Sequence, residues 1–151
     1  MKILVDADAC PCKEVIQKVA EEKQLPLFFL LDTTHVWRAS YGEVITISKG
    51  NDAVDFALVN RMDRGDVCVT QDYGVAAMVL GKGGYAIHQS GKWYTSQNID
   101  QMLFERHLSK KQRNSSRKFH GKGPKKRTEE DNKRFEESFR KLVELALSKK
   151  E

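Results

Sequence analysis

Three short runs of uninterrupted apolar residues, Ile3-Leu4-Val5, Leu27-Phe28-Phe29-Leu30-Leu31 and Val67-Cys68-Val69, most constrain what this chain can fold into. A run of that length without polar alternation describes a strand covered on both faces. Such strands belong to parallel sheets flanked by helices, which sets the class as α/β. The intervening stretches agree. Pro11 suits the first residue of a helix, and Val15, Ile16, Val19 and Ala20 then recur at helical spacing. Asn51-Asp52 opens a second helix with Ala53, Val54, Ala57, Leu58 and Met62 on one face, and Gly65 stops it. Val44 to Ile47 and Tyr85 to His88 read as further strands. Val75 to Leu80 reads as a third helix before the Gly81-Lys82-Gly83-Gly84 break, residues 32–42 as a loop, and Ser90-Gly91-Lys92 as a turn. Ile99, Met102, Leu103 and Arg106 suggest a helix. The order β-α-β-β-α-β-α-β-α predicts an α/β domain over residues 1–108 with a mainly parallel central sheet.

Charge divides the chain. Of its 151 residues, 1–104 carry a net charge of −3 and 105–151 a net charge of +8. From Ser109 to Arg127 the only large hydrophobe is Phe119, set among Arg113, Arg117, Lys118, Lys122, Lys125, Lys126 and Arg127. That stretch buries too little surface to offset its ordering entropy, so residues 109–127 are expected to be a flexible basic segment. An acidic body with a basic tail points to a polyanionic partner, most simply nucleic acid. Over 128–148, Thr128 caps a helix opened by Glu129-Glu130-Asp131. Its stripe of Phe135, Phe139, Leu142, Val143 and Ala146 needs a surface in this domain or in a partner. No run approaches the ~18–20 apolar residues of a membrane span, and the N-terminus starts directly with a strand, without an apolar signal region. The three cysteines are an odd number, and Cys10-Pro11-Cys12 is not a C-x-x-C motif. A reduced, cytoplasmic protein that keeps clear of membranes is expected.

The first apolar run ends in Asp6-Ala7-Asp8. Residues i and i+2 of a strand share a side, so the two carboxylates can converge beyond its carboxyl end, where open α/β sheets bind ligands. Asp52 and Asp55 share a helix face, and Asp72 follows the strand Val67–Val69, with Thr70 two residues before it. If the strands are neighbours, these acids meet at one edge. Such a cluster, with no adjacent Lys or Arg, is unfavourable without cations. Hard oxygen ligands suit Mg²⁺ or Mn²⁺, and one or two such ions serve phosphodiester cleavage. Each acid also has a structural alternative, Asp52 above all as a helix cap. Trp37, Tyr41, Trp93 and Tyr94 are candidates for base stacking or for turn packing. His35, His88, His107 and His120 are scattered and pair with no nucleophile.

Taken together, Val5-Asp6-Ala7-Asp8-Ala9-Cys10-Pro11, Lys49-Gly50-Asn51-Asp52-Ala53-Val54-Asp55 and Gly65-Asp66-Val67-Cys68-Val69-Thr70-Gln71-Asp72 resemble the YaiI/YqxD family of small bacterial proteins. That family is similar in fold to the PIN-domain nucleases. The resemblance implies a PIN-like three-layer domain in which Asp6 is the first-strand acid, Asp55 the helix acid and Asp72 the late-strand acid. It also implies that Asp8 and Asp52 are auxiliary metal ligands and that Thr70 orients a ligand or water. Two positions depart from the PIN pattern: the helix acid, typically Glu, is Asp55, and no second acid closely follows Asp72. The implied activity is metal-dependent hydrolysis of phosphodiesters, RNA favoured. One alternative is a non-catalytic RNA-binding or ribosome-binding protein working through its tail. Another is a phosphatase of the haloacid-dehalogenase type, for which Asp-x-Asp supplies nucleophile and acid and Gly65-Asp66 resembles part of the last motif.

Overall fold

A computed structural model describes residues 1–8, 10–32, 37–48, 53–101 and 126–149. Its elements are β1 (Ile3–Asp6), α1 (Lys13–Glu22), β2 (Leu27–Asp32), β3 (Glu43–Ile47), α2 (Ala53–Arg61), β4 (Val67–Val69), α3 (Tyr73–Gly81), β5 (Tyr85–Ile87), β6 (Trp93–Tyr94) and α4 (Glu129–Ser148). Helical residues also begin at Ile99, but Met102, Leu103, Arg106 and the basic segment through Lys125 lie outside the described residues.

The strands form one sheet in the order β3-β2-β1-β4-β5-β6. Every pairing is parallel except β5 with β6. The two faces follow from strand periodicity. Ile3, Val5, Val67 and Val69 join α1 and α4 in one buried cluster with Phe135, Phe139, Leu142, Val143 and Ala146. Leu4 and Cys68 point the other way, into a second cluster with Leu58 and Met62 from the α2 side and Val75, Ala76 and Val79 of α3. The domain is therefore a three-layer α/β arrangement with the sheet in the middle.

The terminal helix finds its surface within the chain. Thr128 and Asp131 form a capping box, which satisfies two of the helix's orphan donors. Phe135 and Phe139 stack with ring centroids 5.3 Å apart. Ion pairs link the rim of α4 to α1, with Arg140 Nη1 2.6 Å from Glu22 and Lys18 3.4 Å from Glu136. Exposed pairs of this kind add little, and the apolar stripe supplies the adhesion.

Three local features differ from expectation. The helix after β1 begins at Lys13, because Pro11 and Cys12 form a turn. Gln17, polar in sequence, is buried, because its Oε1 accepts from Ser40 N, Ser40 Oγ and Tyr41 N and so anchors the β2–β3 crossover against α1. The two-residue strand β6 was too short to carry a period-2 signal. It forms because Gly91, at φ +93°, closes the hairpin against α4, where a Cβ would meet Arg134 O and Ser138 Cβ at 3.3 Å. Trp93 Nε1 then donates to Ser138 O at 3.2 Å, and Ser138 Oγ donates to Gly91 O.

Candidate functional site

From β1 the sheet grows to one side through β2 and β3, and from β4 to the other through β5 and β6. The crevice beyond the carboxyl ends of β1 and β4 is thus the topological switch point, where open α/β sheets bind ligands. Asp6 ends β1 and Thr70 follows β4 directly. Both lie in the register of Leu4 and Cys68, toward α2 and α3.

Thr70 couples the two strand ends. Its Oγ1 donates to Asp6 Oδ2 at 3.1 Å and accepts from Asp72 N at 3.0 Å. The hydroxyl thus accepts from Asp72 N–H on one lone pair and gives its single proton to the Asp6 carboxylate. Asp72 Oδ1 accepts from Gly74 N at 2.8 Å and Val75 N at 3.3 Å, so the residue is also the N-cap of α3. Asp8 Oδ1 accepts from Asp32 N at 3.4 Å, joining the ends of β1 and β2. Asp6, Asp8 and Asp72 line one open cavity of ≈ 440 Å³ together with Gln71 and Tyr73.

Asp6 bears the electrostatic load of this arrangement. Its carboxyl is pushed up to about 6, first by burial and then by the charge of Asp55, with smaller contributions from Asp8 and Asp72. The Thr70 hydrogen bond works in the opposite direction. Asp55 stands in the first turn of α2 and acts on Asp6 more strongly than either neighbour in the cavity. Asp52 lies outside the described residues.

The donor set is chemically suited to a hard divalent cation: carboxylate oxygens in a cavity with no Lys or Arg among its described lining residues. Among the described residues, no three His, Cys, Asp or Glu side chains stand close enough together to hold a metal ion as they are placed.

Of the basic candidates, Arg113, Arg117, Lys118, Lys122 and Lys125 lie outside the described residues, and Lys126 is exposed. Arg127 Nε donates to Asn132 Oδ1 at 2.6 Å, while its buried Nη2 has no partner among the described residues. Its charge adds to burial in lowering the His88 pKa and opposes the upward shift of the Cys12 thiol. Cys10 and Cys12 are buried with their sulfurs 3.6 Å apart, within the α1-side core.

Asp66 belongs to the opposite edge of the sheet. It is 4% exposed and accepts from Lys2 N, Lys2 Nζ and Asp63 N. A phosphatase of the haloacid-dehalogenase type would need that acid at the Asp6 end, so Asp66 contributes nothing to such a mechanism. A larger cavity of ≈ 730 Å³, lined by Arg64, Tyr85 and Lys149 among others, brings together no acid or thiol among the described residues. The carboxylates gather at the smaller one. Sequence reading missed Gln71 and Tyr73 as cavity residues. The available signal was their position on either side of Asp72.

The fold and cavity define an α/β domain with an acidic pocket at its switch point. Comparison with known proteins narrows this. The model of the family described as "Uncharacterized BCR, YaiI/YqxD family" matches residues 4–145, and the chain belongs to that family. A UPF0178 protein of Clostridium acetobutylicum is 59% identical over 143 residues, covering 95% of this chain and 97% of the relative. A UPF0178 protein of Lachnoclostridium phytofermentans is 51% identical over 149 residues, covering 98% and 100%. Among solved structures, the crystal structure of Rae1 (YacP) from Bacillus subtilis (W164L mutant) aligns over 97% of this chain and 99% of that one, with TM-score 0.42 and 17% identity. That likeness is too distant to carry an argument. No helix among the described residues is long and apolar enough to cross a membrane.

Proposed function

We propose that this protein is a divalent-cation-dependent phosphodiesterase of PIN-like type acting on RNA. The observation that carries the reading is Asp6: a half-buried carboxyl at the switch point, raised to about 6 by burial and three neighbouring carboxylates. Clustered acids that destabilise one another in the absence of a cation are what a cation site requires. Asp6, Asp8, Asp55 and Asp72 would hold Mg²⁺ or Mn²⁺, with Asp52 as the further ligand that the sequence pattern implies. The cation would activate water and stabilise the leaving oxygen. Thr70 holds Asp6 in one orientation, and the Asp72 cap fixes the start of α3 against it. The net charge of +8 over residues 105–151 supports a polyanionic substrate. Lys126 and the basic residues 113–125 would extend that attraction along a nucleic-acid backbone. The preference for RNA rests on the resemblance to PIN-domain nucleases.

The test is cleavage of end-labelled single-stranded and structured RNA in Mn²⁺, Mg²⁺ or chelator, by wild type and by Asp6→Asn. Cleavage that needs both the cation and Asp6 supports the reading. Cleavage untouched by Asp6→Asn, or none with any cation, overturns it. One observation favours a second reading, a non-catalytic RNA-binding protein: Asp72 Oδ1 serves as a helix cap, as a purely structural aspartate would. Salt-dependent RNA binding without cleavage would establish that reading instead.

A further inference from the structure

Two residues of the acidic cavity carry no charge: Gln71 and Tyr73, on either side of Asp72. Tyr73 opens α3, whose first turn is fixed by the Asp72 cap, so its backbone has little freedom. Its half-buried ring packs edge-on against Tyr94, with centroids 5.9 Å apart and planes at 66°. Tyr94 is held in turn by its hydroxyl, which donates to Thr70 O at 3.1 Å. The aromatic surface beside Asp6 is thus braced from behind through the same residue that orients Asp6. Gln71 is exposed, and among the described residues neither its amide nor the Tyr73 hydroxyl has a hydrogen-bond partner. A supported ring offers a platform on which any nucleobase can stack, and an amide offers one acceptor and two donors to a base edge.

We propose that Tyr73 and Gln71 form a nucleobase subsite at the lip of the acidic pocket, taking the unpaired base next to the phosphodiester held at Asp6. This rests on the phosphodiesterase reading and narrows it: the substrate is single-stranded RNA or an unpaired segment. A base stacked within a duplex cannot reach Tyr73 without first leaving the helix, at the cost of unstacking.

The experiment measures binding of the full chain, with Ca²⁺ in place of Mn²⁺ or Mg²⁺, to short oligoribonucleotides carrying 2-aminopurine. Single strands, blunt duplexes and strands with one abasic position are compared by anisotropy and by quenching of the fluorescent base. Wild type is expected to prefer the single strand and to quench 2-aminopurine. Tyr73→Ala should weaken single-strand binding about tenfold, the scale of one base–aromatic stack, with the salt dependence unchanged. Tyr73→Phe should keep most of the affinity. Gln71→Ala, an exposed change that leaves the core intact, should alter the preference among bases. Equal affinity for strand and duplex, no affinity for either, or no effect of Tyr73→Ala and of Gln71→Ala would overturn the subsite. The readout is independent of hydrolysis. Base-dependent binding without cleavage counts against the phosphodiesterase reading alone, and cleavage indifferent to Tyr73 and Gln71 counts against the subsite alone.

Discussion

Asp6→Asn should stabilise the cation-free protein, and the gain should depend on pH. The native carboxyl is raised from 3.8 to about 6. At about 1.4 kcal/mol per unit, this amounts to about 3 kcal/mol. The sign follows from linkage. Below about pH 4 the carboxyl is protonated in both folded and unfolded chains, and the acid and the amide behave alike. Between about pH 4 and 6 the unfolded chain releases this proton while the folded chain retains it, so wild type loses stability as pH rises. Above about pH 6 the full cost persists, because the folded carboxylate sits among Asp55, Asp8 and Asp72. Asparagine never ionises and its carbonyl can still accept from Thr70 Oγ1, so the variant escapes the loss. Urea unfolding in chelator should give equal stabilities near pH 3.5 and a variant that is about 2–3 kcal/mol more stable at pH 7.5. Saturating Mn²⁺ should shrink or reverse that gap by stabilising wild type alone. A variant less stable than wild type at pH 7.5, or a gap that does not change with pH, would refute the electrostatic argument.

Two further outcomes concern the scaffold. Asp66→Ala should cost about 2–3 kcal/mol in urea melts at neutral pH, because it strands two backbone N–H groups, Lys2 N and Asp63 N, at the amino-terminal edge of the sheet and leaves the Lys2 ammonium with Asp63 as its remaining carboxylate. Phe139→Ala should cost about 3–5 kcal/mol by opening a cavity between α4 and the sheet, with a change in the near-ultraviolet signal of Trp93, whose indole bonds to α4 at Ser138.

Much of the architecture was legible before any coordinates. The apolar runs at 3–5, 27–31 and 67–69 read as doubly covered strands, and the parallel pairing of β1 with β4 supplies the condition under which Asp6 and Thr70 meet at one edge. The stripe on α4 specified which face is buried, but a helix pattern does not name its partner, and only the fold shows the α1 side of the sheet. Asp72 illustrates a second limit. Aspartate is favoured both as a helix cap and as a hard-cation ligand, so its position could not separate the two uses. The Lys2–Asp66 contact spans 64 residues and leaves no local signature. Gln17 and Gln71 show the same difficulty for amides: the first is buried by its hydrogen bonds and the second is exposed in the acidic cavity.

The central claim is that the carboxylates at the switch point hold a divalent cation. A crystal of the full chain soaked in Mn²⁺ tests it directly through anomalous scattering. The account predicts a peak within coordination distance of Asp6, shared with Asp8, Asp55 or Asp72 and absent in Asp6→Asn. A wild-type map with no peak at Asp6, or a peak that survives the substitution unchanged, would contradict it.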